Sequence, residues 1–190
     1  MAQPKVDRRV RRTRAAIQHA LLNLMLEKGY DAVTVTDIID RADVGRSTFY
    51  SHFTDKRDVL DDSLDGLGEF LRTHRDAAGD GQLFGFSLAM FEHVHEQRPL
   101  LRALLGRSGG AVVHHRVDHL LTGLVREELA ALGTDRQPAV SIDLVVAGVV
   151  GAYLALIARW LDENETHTPR QLDAAFRRLV LPGVSAIIGR

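Results

Sequence analysis

Residues 48–56, TFYSHFTDK, combine aromatic rings, hydroxyl groups, a histidine and a lysine, and they closely follow Arg46. Phe49 and Phe53 are four residues apart, so on a helix their rings share one face and can pack inward. The other directions are left to polar side chains, namely Arg46, Ser47, Thr48, Tyr50 and Ser51. An arginine can bond guanine bidentately, while hydroxyl groups and lysines can contact phosphates. The pattern therefore predicts a nucleic-acid-binding helix with an apolar anchor.

A second short helix is predicted just before this one. Its apolar residues follow helical spacing: Val35, Ile38, Ile39 and Ala42. Thr34 and Asp37 have the form of a capping box at its start. The turn Asp43-Val44-Gly45 separates the two helices, and two short helices joined in this way form a helix-turn-helix, whose second helix enters the major groove. We therefore predict a helix-turn-helix over about residues 34–53.

The rest of the chain is also predicted to be helical, because its apolar residues recur at helical spacing and no alternating run indicates a sheet. A first helix should end near Gly29, and Asp55 should cap a helix lined by leucines up to Leu71. Further helices are predicted over 84–96, briefly after Pro99, over about 112–131, over 140–162, and from 169 to about 181, where Pro182 should end or kink the last one. The expected fold is all-α, with a three-helix head that contains the helix-turn-helix in residues 1–56 and a larger helical body in residues 57–190.

The composition limits the class of protein. The 190 residues are 45% hydrophobic and 26% charged, with a net charge of -1 and no cysteine. The absence of cysteine excludes disulfides and thiolate metal ligands and suits a reducing cytosol. Residues 1–56 hold ten Lys or Arg and seven Asp or Glu, a balance of +3 that leaves -4 for the rest. A basic front is expected where one end meets a polyanion, and a solvated tail is the alternative.

Two segments bear on the location of the protein. Residues 1–14 are charged and lack the apolar core of a signal peptide. The longest uncharged run, 144–158, is shorter than the roughly 20 residues that a membrane helix needs, so it is interpreted as a buried helix. A cytoplasmic location without a membrane partner is therefore expected.

Residues 14–60, RAAIQHALLNLMLEKGYDAVTVTDIIDRADVGRSTFYSHFTDKRDVL, resemble the TetR family of bacterial transcriptional regulators. The resemblance rests on the pair Gly29-Tyr30, on the helix capped by Thr34 and on TFYSHF with a following lysine. It implies an all-helical homodimer with a DNA-binding head and a body that binds a small-molecule effector and dimerises. The side chains that it places on phosphates are Thr34, Tyr50, His52 and Lys56. Those that it places near base edges are Thr36, Arg46, Ser47 and Thr48.

Two positions depart from the usual pattern of the family. Asp43 stands where glycine is common, and Gly45 stands where a serine often caps the recognition helix. Aspartate tolerates a left-handed backbone and glycine is an acceptable N-cap, so the fold should survive, although glycine has no hydroxyl group to offer a phosphate. Three alternatives stay open: a solvated surface arginine for Arg46, a third core ring for Tyr50, and a ring packed over the helix end for His52.

The two helices predicted near the C-terminus form a candidate dimer interface. The first carries small residues along one stripe, and the second offers an apolar stripe. Small side chains let another backbone approach, so these helices can form half of a four-helix bundle across a two-fold axis, where the resemblance also implies the interface. Packing within one chain is the alternative. The candidate residues are Gly148, Gly151, Ala152, Ala155, Leu172, Ala175, Phe176 and Leu179.

A ligand pocket is expected among the helices of the body, where aromatic and Met residues recur, although such residues are often ordinary core. The candidate residues are Phe86, Met90, Phe91, His93, Leu104, Leu120, Tyr153 and Trp160. His115 and His119 are four residues apart, with His114 and Asp118 alongside, which would permit a metal. A hydrated surface cluster is the preferred interpretation, so no metal and no cofactor are predicted.

The sequence lacks the motifs that would indicate an enzyme: a glycine-rich phosphate loop, a G-x-S-x-G elbow, paired catalytic carboxylates or a metal motif. We predict a ligand-responsive repressor that binds a palindromic double-stranded DNA operator as a homodimer and is released by a small, largely apolar ligand. The alternatives are an architectural DNA-binding protein without a ligand, and a helical enzyme or carrier that uses a cavity in the body.

Overall fold

The computed structural model describes residues 5–79, 82–105, 110–132, 140–162 and 166–188, without the side chains of 5–7, 100, 103–105, 110 and 162. Over these residues all regular secondary structure is α-helical, which confirms the predicted fold class. The helices are α1 (Lys5–Lys28), α2 (Val35–Ala42), α3 (Arg46–Tyr50), α4 (Lys56–Ala77), α5 (Ser87–Glu96), α6 (Arg98–Leu105), α7 (Gly110–Ala131), α8 (Ile142–Asp162) and α9 (Pro169–Ile188).

Local hydrogen bonds set the ends of α1 and α2. Gly29 ends α1 with a φ of +80°, and its N–H donates to the carbonyl of Met25 at 3.0 Å. The predicted capping box opens α2: the N–H of Asp37 donates to Thr34 Oγ1 at 3.2 Å, and the N–H of Thr34 donates to Asp37 Oδ2 at 2.7 Å. Asp43 ends α2 with a left-handed φ of 51°, a conformation that aspartate tolerates.

The recognition helix α3 is shorter than the sequence indicated. It ends at Tyr50 instead of near His52, because the N–H of His52 donates to the carbonyl of Phe49, three residues back, at 2.9 Å, which tightens the chain into a turn. The next helix, α4, begins one residue after Asp55, as predicted. The Oδ1 atom of Asp55 accepts two backbone N–H groups of the first turn at 2.8 and 2.9 Å.

The start of α5 corrects the sequence prediction of a helix from residue 84. The helix begins at Ser87, and Phe84 before it has a left-handed φ of 58° with a fully buried ring. This conformation is unfavourable for an aromatic residue, so other contacts must hold it. One of them is a hydrogen bond from the N–H of Phe84 to Oε2 of Glu128 on α7, at 2.7 Å.

The last helix also differs from its prediction. α9 continues through Pro182 to Ile188, beyond the expected end near Leu181. Pro182 is exposed, whereas Val184 beyond it is buried. Burial of an apolar side chain past the proline opposes the loss of a backbone hydrogen bond that a proline causes inside a helix.

α8 contains the most apolar segment. Residues Ile142–Leu161 have a mean hydropathy of 2.0, so this helix is long and apolar enough to cross a membrane, and the prediction that the run is too short is wrong. The reason is that α8 continues through the charged residues that bound the uncharged run. Of this segment, 44% is buried, and Val146, Val150 and Tyr153 are among its buried residues. A core helix of a soluble protein passes the same test, and we interpret α8 as one.

The described residues fall into two compact units. The first extends to Leu67 and includes residues 103–112, and the second comprises residues 68–102 and the chain from Val113 onward. The helix α4 contributes to both units. The sequence placed the domain boundary at residues 56 and 57, whereas the compact first unit includes about half of α4.

Candidate nucleic-acid interface

Two buried rings anchor α3 in the first unit. Phe49 and Phe53 are buried, and their ring centroids lie 6.1 Å apart. The core of this unit also contains Ile17 and Leu21 from α1 and Ile38 from α2, all fully buried. The inward-facing pair predicted from the four-residue spacing is therefore present, and it fixes the position of the short helix.

The polar side chains of α3 and the following turn remain at the surface. Arg46, Ser47 and Ser51 are exposed, and Tyr50 is 51% exposed, which is inconsistent with a third core ring. Thr48 and His52 are half-buried, and the ring of His52 lies 6.4 Å from that of Phe53. The structure thus presents most of the predicted DNA-contacting side chains on one short segment, and their contacts with DNA stay predictions.

The start of α2 combines a helix cap with an ion pair. The hydroxyl group of Thr34 donates to Oδ2 of Asp37 at 2.6 Å, and Nζ of Lys28 lies 2.7 Å from the same oxygen. Lys28, followed by the hydroxyl and N–H groups of Thr34, holds the pKa of Asp37 well below its ordinary value. Thr36 is exposed beside this cap. A phosphate contact by Thr34 would share a hydroxyl group that the cap already uses.

Lys56 is bound by backbone carbonyls of the turn between α1 and α2. Its Nζ atom donates to the carbonyls of Tyr30 and Val33 at 2.9 Å each and to that of Asp31 at 3.2 Å. It also lies 4.6 Å from the centroid of the Tyr30 ring. An ammonium group has three protons to donate, so these carbonyls use all of them. The predicted phosphate contact by Lys56 would have to replace one of these bonds.

Other cations of the first unit are neutralised within the unit. Arg14 forms an ion pair with Asp62, and its guanidinium carbon lies 5.0 Å from the centre of the Phe53 ring. Arg41 bonds Glu27 bidentately, with both distances 2.7 Å. In the described part of the chain, a smaller set of exposed arginines has no ion-pair partner in this unit: Arg8, Arg9, Arg12, Arg46 and Arg57. Arg57 was not selected from the sequence, because its neighbour Lys56 matched the motif.

A comparison with protein families agrees with this geometry. Residues 17–62 match the model of the family described as bacterial regulatory proteins, tetR family. These residues include α2, α3 and the anchoring residues of α1 and α4. Residues 17–62 are therefore a DNA-binding head of the TetR family, and the resemblance noted from residues 14–60 is confirmed.

Relatives with similar sequences are transcriptional regulators. The chain is 26% identical over 182 residues to the uncharacterized HTH-type transcriptional regulator YxbF of Bacillus subtilis strain 168, covering 92% of this chain and 46% of YxbF. It thus spans about half the length of that relative. It is also 26% identical over 180 residues to the HTH-type transcriptional repressor KstR of Mycolicibacterium smegmatis, covering 90% of this chain and 88% of KstR. These relatives confirm the predicted class, a regulator and not an enzyme.

A solved structure shares the fold. The crystal structure of a TetR transcriptional regulator from Streptococcus agalactiae 2603V matches 92% of this chain and 96% of its own, with a TM-score of 0.66 and 24% sequence identity. Because the likeness extends through the body, it confirms an N-terminal helix-turn-helix followed by a helical body.

The predicted pocket residues lie in the aromatic interior of the second unit. Phe86, Met90, Phe91, Tyr153 and Trp160 are all buried. The ring of Phe91 lies 4.6 Å from that of Tyr153 and 6.3 Å from that of Trp160, so these residues pack against one another as core.

Two further pocket candidates line the margin of this interior. His93 is half-buried, and its burial lowers the pKa of its imidazole. Leu120 is half-buried, and its Cδ1 atom packs against α4 at Gly68. The side chain of Leu104 is outside the described residues.

A polar cluster, which the sequence did not reveal, crosses this interior. Arg177 bonds both oxygens of Asp173 at 3.1 and 3.0 Å and also donates to the carbonyls of Leu83 and Phe84 at 2.9 and 2.8 Å. Asp173 accepts from the hydroxyl group of Ser87. The four-residue spacing of Asp173 and Arg177 was a visible signal, but their partners lie 86 to 94 residues away along the chain.

Glu128 completes the polar cluster from α7. Its Oε2 atom accepts the N–H of Phe84, and its buried Oε1 atom has no hydrogen-bond partner among the described residues. Burial raises the pKa of Glu128 to about 6, against the opposing effects of the Phe84 N–H, Arg75 and Arg177. A carboxylate therefore remains protonatable near neutral pH inside the body.

The candidate dimer residues divide into two groups. Gly148, Gly151, Ala155, Ala175 and Leu179 are exposed, with Leu179 at 69%, and Ala152 is half-buried. Leu172 and Phe176 are instead buried inside their own chain, where the Phe176 ring lies 4.8 Å from that of Tyr153. These two are core residues that support the surface from behind.

The histidine cluster does not form a metal site in the described part of the chain. His114, His115 and His119 are exposed, and Asp118 is half-buried. Among the described residues, no group of three or more His, Asp or Glu side chains is placed to hold a metal ion.

Proposed function

We propose that the protein is a cytoplasmic, ligand-responsive transcriptional repressor that binds a palindromic operator as a homodimer and releases it when a small, largely apolar ligand enters the body. The observation that carries the proposal is α3. This five-residue helix is fixed by two buried rings, and polar side chains with an unpaired arginine surround it at the surface. The TetR-family head supports the same function.

Arg46 is the candidate for direct base recognition. It is exposed at the first position of α3 and has no ion-pair partner among the described residues. The N-terminal residues of a recognition helix contact base edges, and an arginine that bonds guanine O6 and N7 contributes roughly 1–3 kcal/mol of discrimination. Ser47, Thr48 and Thr36 lie nearby in the sequence of the motif and extend the base-contacting surface.

Phosphate contacts then fix the orientation of the head on the duplex. Tyr50 and His52 present polar atoms next to α3, and Thr34 and Ser51 add hydroxyl groups. Contacts of this type position a protein on DNA without selecting sequence. Lys56 belongs to this group only if it exchanges a carbonyl for a phosphate oxygen.

A homodimer would place two copies of α3 in successive major grooves, about 34–36 Å apart or a multiple of that distance. The exposed stripes of α8 and α9 are the proposed interface, because Leu144 and Leu179 are 67% and 69% exposed beside residues without large side chains. A ligand in the aromatic interior would act on the heads through α4, which contributes to both units. Coupling of about 1–3 kcal/mol is ordinary for such linkage.

The test uses the full chain and two kinds of duplex. One is selected by the wild-type protein from a random library, and the other is a random sequence of equal length. Arg46→Ala should weaken binding to the selected duplex by roughly 1–3 kcal/mol per half-site and weaken binding to random DNA less. Arg57→Ala, which removes another exposed arginine from the same unit, should weaken both duplexes equally or not at all.

The same titration separates the alternatives. A helical enzyme or carrier binds neither duplex, and an architectural protein binds both alike. Equal losses on both duplexes for Arg46→Ala would remove the assignment of base recognition to this residue.

A further inference from the structure

The first turns of α1 carry a basic stripe. Lys5, Arg8, Arg9 and Arg12 stand at i, i+3, i+4 and i+7, which places these positions on one face of the helix. Arg8, Arg9 and Arg12 are exposed. The apolar core of the unit begins further along α1, at Ile17, so this segment projects beyond the buried part of the helix.

The stripe does not stabilise the helix that carries it. Cations near a helix N-terminus oppose the macrodipole, and like charges four residues apart, such as Arg8 and Arg12, repel each other. No acidic partner neutralises Arg8, Arg9 or Arg12 among the described residues. The contrast with Arg14 and Arg41, which are both paired with carboxylates, indicates that the stripe serves a partner outside the chain.

The stripe lies next to the end of the recognition segment. Arg14 is 5.0 Å from the ring of Phe53, which directly follows the turn after α3. With a rise of about 1.5 Å per residue, Arg12 and Arg8 lie roughly 3 and 9 Å further toward the start of α1. Unpaired guanidinium groups at this distance from α3 are suited to the DNA backbone beside the bases that α3 would contact.

We propose that the stripe of Lys5, Arg8, Arg9 and Arg12 binds DNA phosphates that flank the half-site contacted by α3. This proposal rests on the proposed function and adds a second, sequence-independent contact surface to it. Phosphates would offset the repulsion within the stripe, and each neutralised phosphate releases counterions. The stripe would therefore strengthen binding to every duplex that is long enough to reach it.

The experiment compares two double variants of the full chain. Arg8→Gln/Arg12→Gln removes two charges from the stripe, and Arg126→Gln/Arg170→Gln removes two charges from exposed positions of the second unit. Binding is measured at several salt concentrations on the selected duplex, with and without about one helical turn (roughly 10 base pairs) of flanking DNA on each side. Circular dichroism checks that each variant keeps its helix content, because glutamine and arginine have similar helix propensities.

We expect the Arg8→Gln/Arg12→Gln variant to reduce the slope of log affinity against log salt by about 0.9 for each phosphate that the stripe no longer neutralises. The reduction should appear on the long selected duplex and on long random DNA, and it should disappear on the duplex without flanks. The Arg126→Gln/Arg170→Gln variant should keep the wild-type slope on all of them.

Two results overturn the proposal while leaving the proposed function intact. One is an unchanged salt slope for Arg8→Gln/Arg12→Gln while Arg46→Ala still lowers selectivity. The other is loss of binding to phosphatidylserine-containing phosphatidylcholine vesicles without any change on DNA, which would assign the stripe to a membrane surface. A wild-type chain that binds no duplex would instead refute the proposed function itself.

Discussion

Single side chains in the first unit divide between folding and contact with DNA. Lys56 carries a charge that a sequence motif places on phosphate, yet its ammonium group bonds three carbonyls of residues 30–33. Arg57, next to it, is exposed and has no ion-pair partner in the described part of the chain. Two adjacent cations therefore have different environments, and only Lys56 joins α4 to the turn before α2.

This difference predicts a difference in stability. Lys56→Met should lower the free energy of unfolding by about 1.5–3 kcal/mol, because hydrogen bonds to a charged donor are removed and buried carbonyls are left without a partner. Arg57→Met should change it by less than about 0.5 kcal/mol, as is usual for exposed positions. Denaturant unfolding of both variants gives the comparison. Equal effects of the two substitutions would show that the carbonyl contacts of Lys56 contribute nothing to stability.

At the level of elements, α4 contains two glycines on either side of Leu67, the residue at which the first unit ends. Glycine is unfavourable inside a helix relative to alanine because it loses more conformational freedom. A Cβ atom on Gly66 would meet nothing within 4 Å, whereas one on Gly68 would lie 2.8 Å from Cδ1 of Leu120. The two positions are thus alike in sequence and different in packing.

Gly66→Ala should stabilise the protein by about 0.5–1 kcal/mol, the difference in helix propensity between the two residues. Gly68→Ala should stabilise it less or destabilise it, because Leu120 must move to admit the methyl group. Thermal unfolding of both variants measures the difference. A larger gain for Gly68→Ala would contradict the packing of Leu120 against α4.

The exposed faces of α8 and α9 make a second prediction at this scale. Leu179→Glu should leave the folded monomer stable, because the side chain is 69% exposed in one chain. In a dimer it would bury an unpaired charge at a cost of about 3–5 kcal/mol, which corresponds to a dissociation constant at least roughly 100-fold higher. Sedimentation velocity at micromolar concentration measures the change.

The control for this substitution is Ala130→Glu, which introduces the same charge at an exposed position of α7. We expect it to sediment as the wild-type protein does. A dimer that survives Leu179→Glu would move the interface away from α9.

At the scale of the whole molecule, the polar cluster around Glu128 makes stability depend on pH. The N–H of Phe84, Arg75 and Arg177 favour the charged form of this carboxyl group and Asp76 opposes it, but burial has the largest effect and raises its pKa to about 6. The folded protein then binds the proton more tightly than the unfolded chain does. Stability from this group is therefore greatest at low pH and falls as the pH rises from about 4.5 through 6.

Glu128→Gln keeps an acceptor for the N–H of Phe84 and removes the titration. The variant should gain about 1–2 kcal/mol relative to the wild type between pH 5 and 7, a range reduced for partial exposure of the group. Denaturant unfolding across this pH range measures the gain. Glu127→Gln, at an exposed neighbouring position, should shift the stability curve without flattening it, and a flat difference between Glu128→Gln and the wild type would contradict the raised pKa.

The sequence by itself determined the features that depend on neighbours a few residues apart. The four-residue spacing of Phe49 and Phe53 indicated the anchored helix, the pair Thr34 and Asp37 indicated the start of α2, and Asp55 indicated the start of α4. Capping bonds and helical faces involve residues three or four positions apart, so a sequence displays them directly.

Only the tertiary structure decided where distant partners meet. The left-handed Phe84 accompanies a bond to Glu128, 44 residues away, and Lys56 bonds carbonyls 23 to 26 residues before it. The continuation of α9 past Pro182 accompanies burial of Val184 in the folded body. Local propensity favoured a different outcome in each case, and contacts between distant segments outweighed it because burial and charged hydrogen bonds are stronger than the propensities they oppose.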